Sequence, residues 1–153
     1  MRVVALVFAL VFSMSAHAEI DWNDSAIKWY GYEEGINELK KNSKLGIIVL
    51  YADWCTVCLE YSKIFKRPDV IKLVGDVVLI KANAEKELQV KYLKEFDQKY
   101  VPKTIVIDKS GNPFMTAYGS IRDHMFFLPP DDPEVFKSVV SYVVRANEAR
   151  ITN

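Results

Sequence analysis

The sequence predicts a single α/β domain, and three observations support this prediction. Apolar runs typical of buried strands alternate with helical patterns, no Ser/Gly-rich linker interrupts them, and 153 residues suffice for one domain with a core. Half of the residues are hydrophobic and 12% are aromatic, which argues against a disordered chain. We expect a central mixed β-sheet flanked by helices, in the order α-β-α-β-α-β-β-α.

The spacing of apolar residues defines the individual elements. In chain order these are a helix over 32–44, a strand over 45–51, a helix over 56–65, a strand over 77–82, a helix over 88–100, strands over 104–108 and 114–118 joined by a turn at 109–112, and a last helix from 133. The run LGIIVLY is continuously apolar, as in a strand buried on both faces. Arg67-Pro68 breaks or kinks the second helix, and Asp132-Pro133 begins the last one.

The first eighteen residues are predicted to be a cleaved signal peptide. A positive Arg2 precedes an unbroken apolar run over 3–12, and the ending A-H-A supplies the small residues that a cleavage site after Ala18 requires. This run is too short to cross a hydrocarbon core of about 30 Å as a helix. A buried N-terminal element and an uncleaved membrane anchor are the competing interpretations. We expect a periplasmic domain over 19–153 with no membrane insertion after cleavage.

Charge and cysteine content narrow the function classes. The chain has 20 Lys+Arg against 20 Asp+Glu, whereas nucleic-acid-binding domains normally carry a clustered basic excess, so we expect no nucleic-acid partner. Two cysteines are too few for a scaffold held together by disulfides. Export would place both in an oxidising compartment, where thiols tend to become disulfides. No pattern indicates dimerisation, and we expect a monomer.

The two cysteines lie at a strand-to-helix junction, in Cys55-Thr56-Val57-Cys58. Unpaired N–H groups and the helix dipole lower the pKa of a thiol at a helix N-terminus. Two intervening residues allow the second sulfur to reach the first and close a redox-active disulfide. Half of a zinc site, a purely structural disulfide and a pair of inert thiols are the alternatives. Structural zinc needs four ligands, so we expect no metal and no cofactor besides the disulfide.

The segment YADWCTVC, residues 51–58, resembles the active-site segment of thioredoxin-like proteins. The resemblance continues through Asn83, the VPKT motif over 101–104 and Gly119. The wording YADWC is similar to that of exported thioredoxins and of the C-terminal domain of the thiol reductase DsbD. The resemblance implies a thioredoxin fold, here with an N-terminal helical extension and a longer connection over 120–131 before the last helix.

The resemblance also implies roles for individual residues. Cys55 would be the nucleophile and Cys58 the buried resolving thiol. Trp54 would shield the disulfide and shape the surface beside it. Pro102 would be a cis-proline packed against the disulfide, and the backbone of Val101 would pair with an extended substrate segment.

One position departs from the family pattern. Thioredoxins usually carry a buried Asp six residues before the first cysteine, and this chain has Val49 there. Lys81 remains at the position of the usual lysine partner. Proton transfer to and from Cys58 must then use Lys81, Glu60, Asp53 or water.

The residue before the second cysteine predicts the direction of electron flow. Strong oxidants and isomerases of this family tend to carry a histidine there, and Val57 offers neither charge nor a hydrogen bond. We therefore expect a reductase of protein disulfides, supplied with electrons by a DsbD-type membrane thiol transporter. An oxidase or isomerase, and a non-catalytic thioredoxin-fold binding module with a structural disulfide, are the competing functions.

Overall fold

A computed structural model describes residues 19–87, 101–114 and 133–151. The helices in these ranges are α1 (Tyr32–Asn42), α2 (Thr56–Ser62), α3 (Pro68–Val74) and α4 (Pro133–Ile151), and the strands are β1 (Trp29–Tyr30), β2 (Gly46–Tyr51), β3 (Val78–Asn83) and β4 (Lys103–Ile107). A 3₁₀ turn over Lys63–Lys66 follows α2. No helix in the described ranges is both long and apolar enough to span a bilayer.

The strands form one mixed sheet in the order β1-β3-β2-β4. β3 pairs in parallel with β1 and β2, and β4 runs antiparallel to β2. Because β2 and β3 are parallel, the residues that follow them lie at the same edge of the sheet. This confirms the predicted mixed sheet flanked by helices, and it places the cysteine motif and the residues after β3 side by side.

The sheet separates two hydrophobic cores. Side chains alternate along β2, so Ile47 and Val49 face one core and Ile48 and Leu50 face the other, which explains the continuous apolar run. The larger core lies against α2, α3 and α4 and includes Trp22, Tyr61, Phe65, Leu79, Phe136 and Val140. The smaller core lies against α1 and includes Ile36, Leu39, Ile80 and Ile105.

The second predicted helix is divided in the structure. It ends at Ser62, and after the 3₁₀ turn Pro68 begins α3, which the sequence analysis did not predict. Arg67 has an extended backbone (φ −76°, ψ 131°), as expected for a residue before proline. Proline is tolerated in the first turn of a helix because its missing N–H would have no helical partner there. Pro68 therefore both ends one helix and starts the next.

The turn after β4 is built as the sequence predicted. The Asp108 carboxylate accepts hydrogen bonds from the backbone N–H groups of Ser110 (2.8 Å) and Asn112 (2.9 Å). Gly111 has a φ of +76°, a conformation that favours glycine. The Phe114 N–H then donates to the Val106 carbonyl at 2.8 Å, which starts an antiparallel pairing.

Several predictions concern residues outside the described ranges. These are the signal peptide over 1–18, the helix over 88–100, the remainder of the strand over 115–118, and the connection over 120–131.

Candidate active site

Cys55 occupies the N-cap position of α2. Its backbone is extended (φ −80°, ψ 100°), and its Sγ accepts a hydrogen bond from the Cys58 N–H at 3.0 Å. The first N–H groups of a helix lack helical partners, and the sulfur takes the place that a serine or aspartate oxygen usually fills. Cys55 and Cys58 form a disulfide. The helix N-terminus therefore points at the sulfur that would carry charge after reduction.

The two cysteines differ in access. Cys58 is fully buried, and Cys55 is 4% exposed and borders an open cleft of about 360 Å³. We call this cleft, lined by Glu19, Ile20, Asp53, Trp54, Cys55, Thr56 and Leu59, the cysteine cleft. A substrate sulfur arriving through it would meet Cys55.

A second segment, distant in sequence, contacts the disulfide. The Val101–Pro102 peptide bond is cis, and the Val101 carbonyl oxygen lies 3.5 Å from Cys55 Sγ. Pro102 leads directly into β4, which pairs with β2. The sheet therefore fixes Val101 next to the cysteine motif.

Asn83, at the end of β3, joins the two loops at this edge of the sheet. Its side chain is almost completely buried. The amide nitrogen donates to Asp53 Oδ1 at 3.0 Å, and the amide oxygen accepts from the N–H groups of Glu85 (2.9 Å) and Lys86 (3.3 Å). The sequence analysis used Asn83 only as part of a resemblance. A polar residue that ends a buried strand was the signal that could have indicated this role.

The rim of the site contains further contacts that the sequence analysis missed. Trp54 is 60% exposed, and its indole Nε1 donates to Glu85 Oε1 at 2.6 Å. Lys86 Nζ lies 2.9 Å from Asp53 Oδ2. This hydrogen bond raises the pKa of Lys86, so the lysine remains charged. Trp54 is thus held in place although most of its surface faces solvent.

The three candidates for proton transfer lie in different places. Lys81 forms an ion pair with Asp24 of the N-terminal segment. Glu60 is exposed and pairs at 2.5 Å with Lys63, the first residue of the 3₁₀ turn that follows α2. Asp53 is the member of this group that lines the cysteine cleft.

The position of the missing aspartate is apolar and buried. Val49 is fully buried in the larger core, and Thr104 is its partner across the β2–β4 pair. The Thr104 hydroxyl lies 2.7 Å from the Tyr61 hydroxyl, and this buried contact joins β4 to α2. Burial raises the pKa of Tyr61 far above its usual value, so the phenol stays neutral and acts as a hydrogen-bonding group.

Two further observations concern metal binding and a second cleft. Within the described parts of the chain, no group of three or more His, Cys, Asp or Glu side chains is arranged to hold a metal ion. A second cleft, of about 380 Å³, lies near the start of β3 and is lined by residues such as Lys28, Asp76 and Val78. That cleft is at the opposite end of the parallel strands from the cysteines.

Part of the chain is similar in sequence to known proteins. No protein-family model matches the chain. The thiol:disulfide interchange protein DsbD of Salmonella choleraesuis (strain SC-B67) is 33% identical over 104 residues, which cover 65% of this chain and 18% of that protein. The chain spans less than a fifth of the length of the curated relatives that it matches.

Solved structures agree with the fold. The solution structure of a thioredoxin from Thermus thermophilus matches with a TM-score of 0.58 at 14% identity, covering 78% of this chain and 88% of that one. The crystal structure of a disulphide isomerase from Xylella fastidiosa Temecula1 matches with a TM-score of 0.51 at 17% identity, covering 87% and 99%. The predicted fold is confirmed: the chain has the thioredoxin fold, and part of its sequence is similar to DsbD.

Proposed function

We propose that this chain is an exported thiol–disulfide oxidoreductase that reduces disulfides in protein substrates through Cys55 and Cys58. One observation carries the proposal: the disulfide lies at a helix N-terminus, where Cys55 borders an open cleft and Cys58 is buried. Similarity to part of DsbD, whose name describes thiol:disulfide interchange, supports the same chemistry.

The proposed reaction starts from the reduced dithiol. The Cys55 thiolate attacks one sulfur of a substrate disulfide, and the first substrate thiolate leaves as a mixed disulfide forms. Cys58 then loses its proton and attacks Cys55 Sγ, which releases the second substrate thiolate and forms the Cys55–Cys58 disulfide. Two electrons pass from the dithiol to the substrate, and the released thiolates take up protons.

Three neighbouring residues would position the substrate. Trp54 would present an apolar surface beside the disulfide, and Glu85 keeps its indole in place. The backbone of Val101, next to Cys55 Sγ, would pair with an extended substrate segment. Pro102 would set the path of that backbone.

We assign the proton transfer of Cys58 to Asp53 and water in the cysteine cleft. All three candidates form ion pairs, Asp53 with Lys86, but of the three only Asp53 lines the cleft that Cys55 borders. An Asp53→Asn variant that resolves the mixed disulfide at the wild-type rate would contradict this assignment.

The direction and location of the reaction are inferred from the residues. Val57 is exposed beside Cys58 and cannot stabilise a thiolate by charge or hydrogen bonding, which favours the reductant. The predicted signal peptide would direct the domain to the periplasm, where a DsbD-type membrane thiol transporter would return electrons to the disulfide. N-terminal sequencing of the exported protein should give Glu19 as the first residue.

The first test is the reduction potential, measured by equilibration with glutathione or dithiothreitol buffers. A reductase should have a potential near that of thioredoxin, about −270 mV. A potential between about −120 and −180 mV would indicate an oxidase or isomerase and would contradict the proposed direction. A disulfide far harder to reduce than thioredoxin's would indicate a structural role.

Alkylation of the reduced protein tests the assignment of roles. Iodoacetamide should modify Cys55 much faster than Cys58, because Cys55 borders the cleft. A Cys58→Ser variant should accumulate a mixed disulfide with substrate, and a Cys55→Ser variant should not. Equally slow modification of both thiols would favour the binding module.

A further inference from the structure

Apolar side chains are concentrated around the cysteine motif. Of the large hydrophobic side chains that are exposed in the described residues, Trp54, Val57 and Leu59 adjoin the two cysteines, and Val135 lies apart in α4. Trp54 and Leu59 line the cysteine cleft together with Ile20. Exposed apolar surface of this kind typically marks a site of contact with another molecule.

The same cleft has an acidic rim. Glu19 and Asp53 belong to its lining, which contains no basic side chain among the described residues. Glu85 adds a third carboxylate through its hydrogen bond with the Trp54 indole. An indole is neutral, so this hydrogen bond fixes the Glu85 carboxylate without neutralising it.

The nearest described cation compensates only part of this charge. Lys86 forms an ion pair with Asp53, and among the described residues it is the cation in contact with these carboxylates. Burial raises the pKa of the neighbouring Tyr51. The carboxylates of Asp53 and Glu19 raise it further, and Lys86 lowers it. In the chain cleaved after Ala18, the α-ammonium of Glu19 is a second cation at the rim. The three carboxylates outnumber these two cations, so the rim keeps a net negative charge.

Resting on the proposed redox function, we propose that the cysteine cleft selects protein disulfides whose cysteines are flanked by apolar and basic side chains. The apolar lining would bind a Leu- or Phe-like neighbour of the substrate cysteine, and Glu19 and Glu85 would attract a nearby Lys or Arg. The same carboxylates would repel anionic disulfides such as oxidised glutathione. Charge near a reacting group acts mainly on the association rate, and salt screens it.

The test uses two disulfide-linked peptides that differ in one feature. Both carry a leucine beside the cysteine, and the next residue is Lys in one peptide and Glu in the other. The rate of reaction with the reduced protein is measured by rapid mixing. It is divided by the rate with dithiothreitol, which attacks as a singly charged thiolate like Cys55 and so corrects for intrinsic reactivity. We expect the Lys peptide to react on the order of tenfold faster at about 10 mM salt, with a ratio approaching one near 1 M salt.

Charge-removing variants locate the effect. Glu85→Gln keeps an oxygen that can accept the indole N–H, and Glu19→Gln changes the second carboxylate. The double variant leaves Asp53 as the one carboxylate of the three and should bring the Lys/Glu ratio to one or below. Glu38→Gln, in α1 at the edge of the distant second cleft, is the matched control and should leave the ratio unchanged.

The outcomes separate this inference from the function on which it rests. A wild-type ratio near one at low salt, or a ratio that the double variant leaves intact, would overturn the proposed selectivity while the redox function stands. Failure to react with either peptide would overturn the redox function itself. Leu59→Ser should slow both peptides equally, and unchanged rates would refute the apolar part of the proposal.

Discussion

Two buried asparagines, one at each end of the sheet, do chemically similar work with different consequences. Asn147 of α4 accepts a hydrogen bond from the Leu45 N–H at 2.7 Å and donates to the Leu45 carbonyl at 3.2 Å, just before β2 begins. Asn83 satisfies backbone groups at the other end, and it also holds Asp53 in the loop that carries the cysteines. Asn147 thus anchors the fold at one end of the sheet, whereas Asn83 also positions a residue of the site at the other end.

Replacement of Asn147 by alanine should have the largest effect on stability. It would leave the N–H and carbonyl of Leu45 buried without these partners, at a cost of about 3 kcal/mol in the free energy of unfolding. The reduction potential of the folded protein should not change, because the contact lies at the far end of β2. Urea denaturation measures the free energy of unfolding, and redox equilibration measures the reduction potential. An altered potential would show that Asn147 also influences the site.

Asn83→Ala should cost less stability and more activity. We expect a loss of about 2 kcal/mol, since part of the freed backbone can be hydrated at the rim of the site. The rate of reaction with a peptide disulfide should fall several-fold, because the loop carrying Asp53 and Trp54 is no longer fixed. Asn147→Ala, assayed well below its melting temperature, is the control. Equal rates in the two variants would mean that Asn83 is also only an anchor.

The Tyr61–Thr104 hydroxyl pair, which joins α2 to β4, should contribute less to stability than either asparagine. Tyr61→Phe leaves the buried Thr104 hydroxyl without this partner and should cost about 1 kcal/mol. The double variant Tyr61→Phe/Thr104→Val removes both hydroxyls and should be nearly as stable as the wild type. Chemical denaturation of these two variants and of Thr104→Val measures the coupling, and additive losses would contradict a direct hydrogen bond.

The smallest effect is expected at Asp69, on the surface near the start of α3. Arg67 and Lys137 hold the pKa of Asp69 well below its usual range. A lowered pKa in the folded state contributes stability above the unfolded value of about 3.9, and this contribution is lost as the pH falls through the folded value. Asp69→Asn should lower the melting temperature slightly at pH 7 and less at acidic pH. A pH-independent difference would show that the ion pairs are not responsible.

Sequence patterns predicted the elements that have a continuous apolar run. They missed the elements that are very short or whose start depends on the backbone before them. The LGIIVLY run gave β2 because both of its faces are covered, whereas β1 has two residues and no detectable period. Pro68 was interpreted as a helix breaker, and its role as the first residue of α3 depends on the backbone before it.

The features of the site also divide into those that local sequence predicts and those that it does not. The cysteine pair was predicted from local spacing, which also indicated the strand-to-helix junction. The hydrogen bond from Trp54 to Glu85 and the ion pair of Asp24 with Lys81 join residues 31 and 57 positions apart. Such contacts depend on how the loops fold back over the edge of the sheet, and no periodicity in the sequence encodes that.

The short separation of the two cysteines has a thermodynamic consequence. Their disulfide spans three positions, so it removes little entropy from an unfolded chain. Any large difference in unfolding free energy between the oxidised and reduced protein must therefore arise in the folded state. A thermodynamic cycle links folding with disulfide formation. In that cycle, the difference equals the change in the free energy of disulfide formation between the unfolded and the folded chain. Under the proposed reductase function the oxidised fold would be the more stable one, so each round of substrate reduction would also make the domain harder to unfold.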